Sequence, residues 1–162
     1  MSEQTQNTPL QTTPPQVPRW LVRTIWVSHR AVYSVTRGRL GLRKPADKTW
    51  GMLRLRTVGR RSGKERIAIL GYIEDGRNLV TVAMNGWADP EPAWWLNLRA
   101  HPEATVELPT GPREVTGRVA VGKERARLWA KYLALGSSAF NDASAALRSR
   151  ETAIVVLEPR VE

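Results

Sequence analysis

From Trp50 onward, apolar and polar side chains alternate with a period of two: Leu53, Leu55 and Thr57 fall on one side, Arg54, Arg56 and Val58 on the other. Such alternation predicts a strand with one face in a core. A second apolar run, Ile67 to Ile73, predicts its partner across the turn that begins at Gly59. Asp75-Gly76 is a hairpin signal, and the run from Asn78 to Met84 makes a third strand of the same meander. Residues 88–102 open with prolines, carry Trp94, Trp95 and Leu98 at helical offsets and stop before Pro102, which reads as a short helix. A further hairpin runs from Ala104 through a turn at Pro109–Pro112 to Val121. Lys123 to Leu135 is helical in spacing, with Ala126, Trp129, Tyr132 and Leu133 on the inner side and Gly136 as the stop. The stretch Thr152–Glu158 is the last strand. Six or so strands joined mainly by hairpins predict a mainly β fold with helices (α+β), mostly antiparallel. The sheet closes on itself as a small barrel with helices filling the ends.

Upstream the period changes. Between Arg19 and Arg37, Leu21, Ile25, Val32 and Val35 form one helical stripe, and Arg19, Arg23, Arg30 and Arg37 another. This predicts an N-terminal amphipathic helix that ends in the loop of Gly38, Gly41 and Pro45. Trp26 and Tyr33 lie near the basic stripe, which leaves two readings open. The helix lies in an anionic lipid headgroup layer, or it packs on its own domain with a solvated basic face. Residues 1–18, rich in Gln, Thr and Pro, are expected to be a disordered tail, with 19–162 as a single domain. There is no apolar core of a secretory signal and no run of about 18 apolar residues. The expected location is cytoplasmic, with peripheral contact at the inner face of the cell membrane as the extension of the lipid reading.

Composition narrows the chemistry. The chain has no cysteine and only two histidines, His29 and His101, so neither a thiolate site nor a metal site is expected. Its net charge of +10 suits nucleic acid, an anionic membrane or a phosphorylated or carboxylated ligand. The aromatics sit in apolar segments instead of alternating with cations, which argues against nucleic acid.

The cations concentrate in one place. Arg60, Arg61, Lys64 and Arg66 crowd a turn bracketed by Gly59 and Gly63. A Walker A loop needs four residues between its glycines, then Lys-Ser/Thr and a helix, and this stretch meets none of these conditions. A strand-turn-strand offers no helix dipole, so guanidinium forks, the Lys64 ammonium and turn amides must hold any anion. Trp87, Trp94 and Trp95 surround a Gly86 turn and a proline-rich loop, a flat apolar wall for a ring system, although core packing alone explains one or two of them.

The sequence TVGRRSGKER, then AMNGW, then PEPAWWLNLRAHPEATVEL, in this order, resembles the deazaflavin-dependent nitroreductase family of split β-barrel oxidoreductases. The resemblance runs from about His29 to Glu158 and implies a split β-barrel binding coenzyme F420, whose side chain carries a phosphodiester and an oligoglutamate tail; FMN is the less expected cofactor. It implies that Arg60, Arg61, Ser62, Gly63, Lys64 and Arg66 meet the phosphate and the start of the tail. Ile69, Ala83, Met84, Asn85 and Gly86, with Pro92, Ala93, Trp94 and Asn97, would line the deazaflavin ring. Trp20, Trp87 and Phe140 are the expected contacts of a hydrophobic acceptor. Relatives commonly have Ala-Ser where this chain has Ala83-Met84, and proline where it has Ile69. The segment matching a tyrosine-bearing region in a well-studied relative reads GSSAFNDAS, and its Phe140 stacks but donates no proton. The implied activity is transfer of a hydride from reduced F420 to a quinone, enone or nitro compound, with the proton from water, Ser137 or Ser138. The alternative is a non-catalytic deazaflavin or flavin carrier. A homodimer is expected by analogy with other split barrels.

Overall fold

Alternation along β1 (Gly51–Val58) appears in three dimensions as an inner row, Gly51, Leu53, Leu55 and Thr57, all buried, and a half-exposed outer row. The remaining elements are β2 (Glu65–Asp75), β3 (Asn78–Val82), α1 (Ala93–Ala100), β4 (Glu103–Leu108), β5 (Gly111–Val119), α2 (Gly122–Ala134) and β6 (Ile154–Pro159). This computed structural model describes residues 41–84, 90–135 and 151–160, all within the unit Gly38–Glu162. The expected tail, the helix at 19–37 with Trp20, and Asn85, Gly86, Trp87, Ser137, Ser138 and Phe140 lie outside the described residues.

The strands close in the order β1-β2-β3-β6-β5-β4, and every neighbouring pair is antiparallel. The expected six-stranded antiparallel barrel is therefore present. Three local expectations change. β2 begins at Glu65 and ends at Asp75, beyond the apolar run, because the whole of β1 is available to pair with it. β5 starts at Gly111, since Leu108 pairs with it across a tight turn of Pro109 and Thr110. On α2 the buried residues are Leu128 and Tyr132, with Trp129 half-buried beside them, whereas Ala126 is exposed; the helix is rotated so that Leu128, not Ala126, meets the sheet.

Two apolar cores result. Inside the barrel, Leu53, Leu55, Leu79, Val106, Val115 and Leu157 pack from opposing strands. Outside it, α2 covers Ile73, Val80, Val82, Ile154 and Val156 with Leu128 and Tyr132. Tyr132 stacks on Trp50 with ring centroids 5.0 Å apart, and Trp50 Nε1 donates to the Tyr132 carbonyl at 3.1 Å. Helix α1 plugs one end. Its Leu98 is fully buried against Gly117, where any side chain would overlap the Leu98 methyls.

The barrel is split on one side. β2 and β3 pair only from Ile73–Val80 to Asp75–Asn78. Past that ladder the Thr81 hydroxyl donates to the Gly71 carbonyl at 2.8 Å, a side-chain bond in place of a backbone pair. Among the described residues no helix is long and apolar enough to cross a membrane.

Candidate functional site

The basic turn is built by its backbone. Gly59 N–H donates to the Lys64 carbonyl at 2.8 Å, and the Gly59 carbonyl accepts from Ser62 N–H at 3.1 Å and Gly63 N–H at 2.8 Å. That is one helical turn wedged between two strands. Gly63 closes it at φ +63°, a conformation that side chains resist. A Cβ on Gly59 would stand 2.9 Å from Ser62 Oγ and 3.0 Å from the Lys64 carbonyl, so Gly59 is favoured by close packing and Gly63 by its backbone conformation.

Helix α1 holds this turn from behind. Arg60 N–H donates to Asn97 Oδ1 at 3.1 Å, and Asn97 Nδ2 donates to Thr57 Oγ1 at 3.5 Å. Thr57 Oγ1 in turn donates to the Arg66 carbonyl at 3.4 Å. Asn97 is 5% exposed, so its amide is occupied with shaping the turn and offers almost no free surface. The Ser62 hydroxyl accepts from Arg66 Nη2 and from Lys64 N–H, both at 3.4 Å, which steers the Arg66 guanidinium toward the tip.

Charge pairing divides the described cations into two groups. Arg54, Arg56, Arg99, Arg118, Arg125, Arg127, Lys131 and Arg160 all meet carboxylates. Arg60, Arg61, Lys64 and Arg66 are exposed and meet none among the described residues. The nearest acid in sequence, Glu65, is taken by Arg56 at 2.6 Å, and that bond is the largest cause raising the Arg56 pKa above its ordinary value. The turn is thus a cationic tip whose counter-charge must come from elsewhere.

Beside the tip runs an apolar strip. Register puts Ile67 and Ile69 on the outer face with Arg56, Arg54 and Val58, and Ile67 is 54% and Val58 42% exposed. Backbone directions alternate along a strand. Since the Gly71 carbonyl faces β3, those of Ile69 and Ile67 face the same way, into the split, where no described strand pairs with them. The cleft therefore combines unpaired cations, exposed aliphatic side chains and free strand-edge N–H and C=O groups.

Among the expected ring contacts, Ile69 lies half-buried on this face, and Met84, two residues past β3, packs against the outer core. Ala83 belongs to the inner core and is fully buried. Pro92 and Trp94 are buried behind the exposed Ala93, and Trp95, hydrogen-bonded to Glu91 at 3.1 Å, is core as well. Val58 and Ile67 escaped the sequence reading. The available signal was an apolar residue at an outward position of an alternating strand, next to the basic turn. Among the described residues no group of histidine, cysteine or acidic side chains could hold a metal.

Comparison with known proteins gives the same picture. The family model described as F420H(2)-dependent quinone reductase matches residues 26–159. An F420H(2)-dependent quinone reductase of Mycobacterium tuberculosis is 35% identical over 121 residues, covering 70% of this chain and 78% of that protein. In fold, the chain resembles a structure titled as an F420-H2 dependent reductase, with a TM-score of 0.59 and 23% identity over 66% of this chain and 93% of that one. A structure described as a domain-swapped dimer aligns with a TM-score of 0.62 and 23% identity over 84% of this chain and 99% of that one. On sequence and fold together, the chain belongs to the F420H(2)-dependent quinone reductase family.

Proposed function

We propose that the cleft between the basic turn and the split side of the barrel binds coenzyme F420, and that the protein uses its reduced form to reduce a small electron-poor acceptor, a quinone in the first instance. The family membership carries the activity: this is an F420H2-dependent oxidoreductase. What supports the location is the set of four exposed cations with no described carboxylate partner, set beside an apolar strip. The fit is chemical. A phosphodiester and glutamate carboxylates call for Arg60, Arg61, Lys64 and Arg66, and a flat ring calls for Val58, Ile67 and Ile69. The polar edge of that ring calls for strand N–H and C=O groups of the kind that face the split.

When bound, reduced F420 supplies a hydride. The chain's own residues hold the anionic end, keep the ring against β2 and exclude water from one of its faces. Asn97 fixes the turn, so the cations are oriented before the ligand arrives and less ordering is lost on binding. The proton that completes quinol formation comes from water, Ser137 or Ser138. The proposal extends to residues 19–37 as a peripheral contact with anionic membrane, read from their basic and aromatic stripes, and to a homodimer. Co-sedimentation with anionic vesicles and light scattering test these two points.

The deciding experiment is a fluorescence titration of F420 with FMN as competitor, followed by addition of menadione to the reduced complex. Preferential F420 binding with acceptor-dependent reoxidation is the expected result. Binding without reoxidation by any acceptor would return the protein to the carrier class, and preference for FMN would overturn the cofactor assignment.

A further inference from the structure

The end of the barrel opposite α1 has no plug among the described residues. It opens as a cavity of about 430 Å³ lined by Glu74, Gly76, Arg77, Leu79, Arg113 and Pro159. Its walls follow from register. Leu79 pairs with Leu157 and Glu74, Val115 with Pro159, and Val106 with Arg113, so Glu74, Leu79, Arg113 and Pro159 all belong to the inward-facing rows. Arg77 projects from the two-residue β2–β3 turn at the rim, beside Gly76 at φ +62°.

The charges here are out of keeping with the rest of the barrel. Arg113 stands in a row whose neighbour Val106 is fully buried, yet neither it nor Arg77 meets a carboxylate or any hydrogen-bond acceptor among the described residues. Glu74, on the same mouth, also has no described ion pair. Arg77 is exposed and Arg113 half-buried at this open mouth, so two guanidinium forks without a carboxylate partner face the same space, where an anion could meet both. Below them lies Tyr72, 1% exposed. Burial pushes its pKa up, nearby Glu74 adds to the rise and Arg113 opposes it, so both charges act on the phenol from the mouth.

We propose that this mouth is a second binding site, for a small oxyanion bearing a carboxylate or phosphate group together with a hydrogen-bond donor. The oxyanion sits between the forks of Arg77 and Arg113, its donor meets Glu74, and its carbon skeleton lies on Leu79 and Pro159. Two guanidiniums against one carboxylate leave one positive charge for the ligand to neutralise. The volume suits a molecule of metabolite size. Along β2 the mouth stands eight residues from Arg66, roughly 26 Å at about 3.3 Å per residue, so it is separate from the basic turn.

The test follows the arginine side-chain Nε–H signals of Arg77 and Arg113 by NMR at constant ionic strength while sodium phosphate or L-glutamate is added. The expected result is that both signals shift with one saturating curve and a Kd below about 10 mM. Arg77→Ala, on the exposed turn, should weaken binding about tenfold or more, and Arg113→Met should remove it. Saturation with phosphate alone would identify a phosphate site, and with glutamate alone a carboxylate site. In the second case Glu74→Gln should weaken glutamate by severalfold. The Arg60→Ala/Arg61→Ala variant should leave the curves unchanged. Shifts that grow linearly without saturation, or an unaltered Kd in Arg77→Ala, would overturn the proposal.

Discussion

The two ends of the barrel carry the same kind of side chain to opposite purposes. At the end plugged by α1, arginines stand on an outer turn whose backbone is fixed by Asn97 and two glycines. At the open end, Arg113 points from an inward row into a cavity and Arg77 overhangs it from a hairpin tip. Between them, Arg54, Arg56, Arg118 and Arg160 are matched to acids across the strands. An unpaired guanidinium therefore means something here only because paired ones surround it. The plugged end presents charge that is already oriented, and the open end presents charge around a hole.

The largest effect on this contrast should come from the plug itself. Leu98→Ala empties a fully buried position against Gly117 and should cost about 2–5 kcal/mol, read from the denaturant midpoint. It should loosen the basic turn while leaving the Arg77 and Arg113 signals in place. A variant as stable as the parent would mean that α1 is not what closes that end.

A smaller loss is expected from Asn97→Ala, which strips Arg60 N–H and Thr57 Oγ1 of a buried partner. About 1–3 kcal/mol of stability should go, with F420 affinity falling severalfold. If stability falls and affinity does not, the turn is oriented without help from Asn97.

How much of this could be read from the chain depends on where the period survives. The odd positions of β1, the Asp75-Gly76 hairpin and the Trp94–Leu98 spacing predicted their elements because local alternation and burial agree there. The basic turn was legible as a cluster. Its mode of support was not, since the Asn97–Arg60 bond joins residues 37 apart and no local pattern encodes it. Trp94 looked like a ring wall from its aromatic neighbours, but an α1 that fills the barrel end turns that side chain into core. Arg113 sat in an unremarkable polar stretch of β5, and only its pairing with Val106 reveals that it faces inward.

The smallest effect concerns the rim. Asp75 accepts from Arg127 at 2.8 Å and from Lys131 at 3.1 Å, and the Arg127 bond chiefly holds its carboxyl well below the usual carboxylate range. Its folded pKa is depressed, so its contribution is present above the unfolded value near 4 and is lost as pH falls from there toward the folded value. Asp75→Asn should accordingly flatten the fall of stability below about pH 4 and change little at pH 7 beyond the loss of the pair. An unchanged acid limb would remove Asp75 from the account.

The most direct test compares one arginine from each end. F420 is titrated into Arg66→Ala and, as the matched control, Arg77→Ala. The account predicts that Arg66→Ala weakens binding by about ten- to a hundredfold, roughly 1.4 to 2.8 kcal/mol, while Arg77→Ala binds like the parent. Equal affinities in all three proteins, or a loss confined to Arg77→Ala, would contradict the assignment of the basic turn to the cofactor.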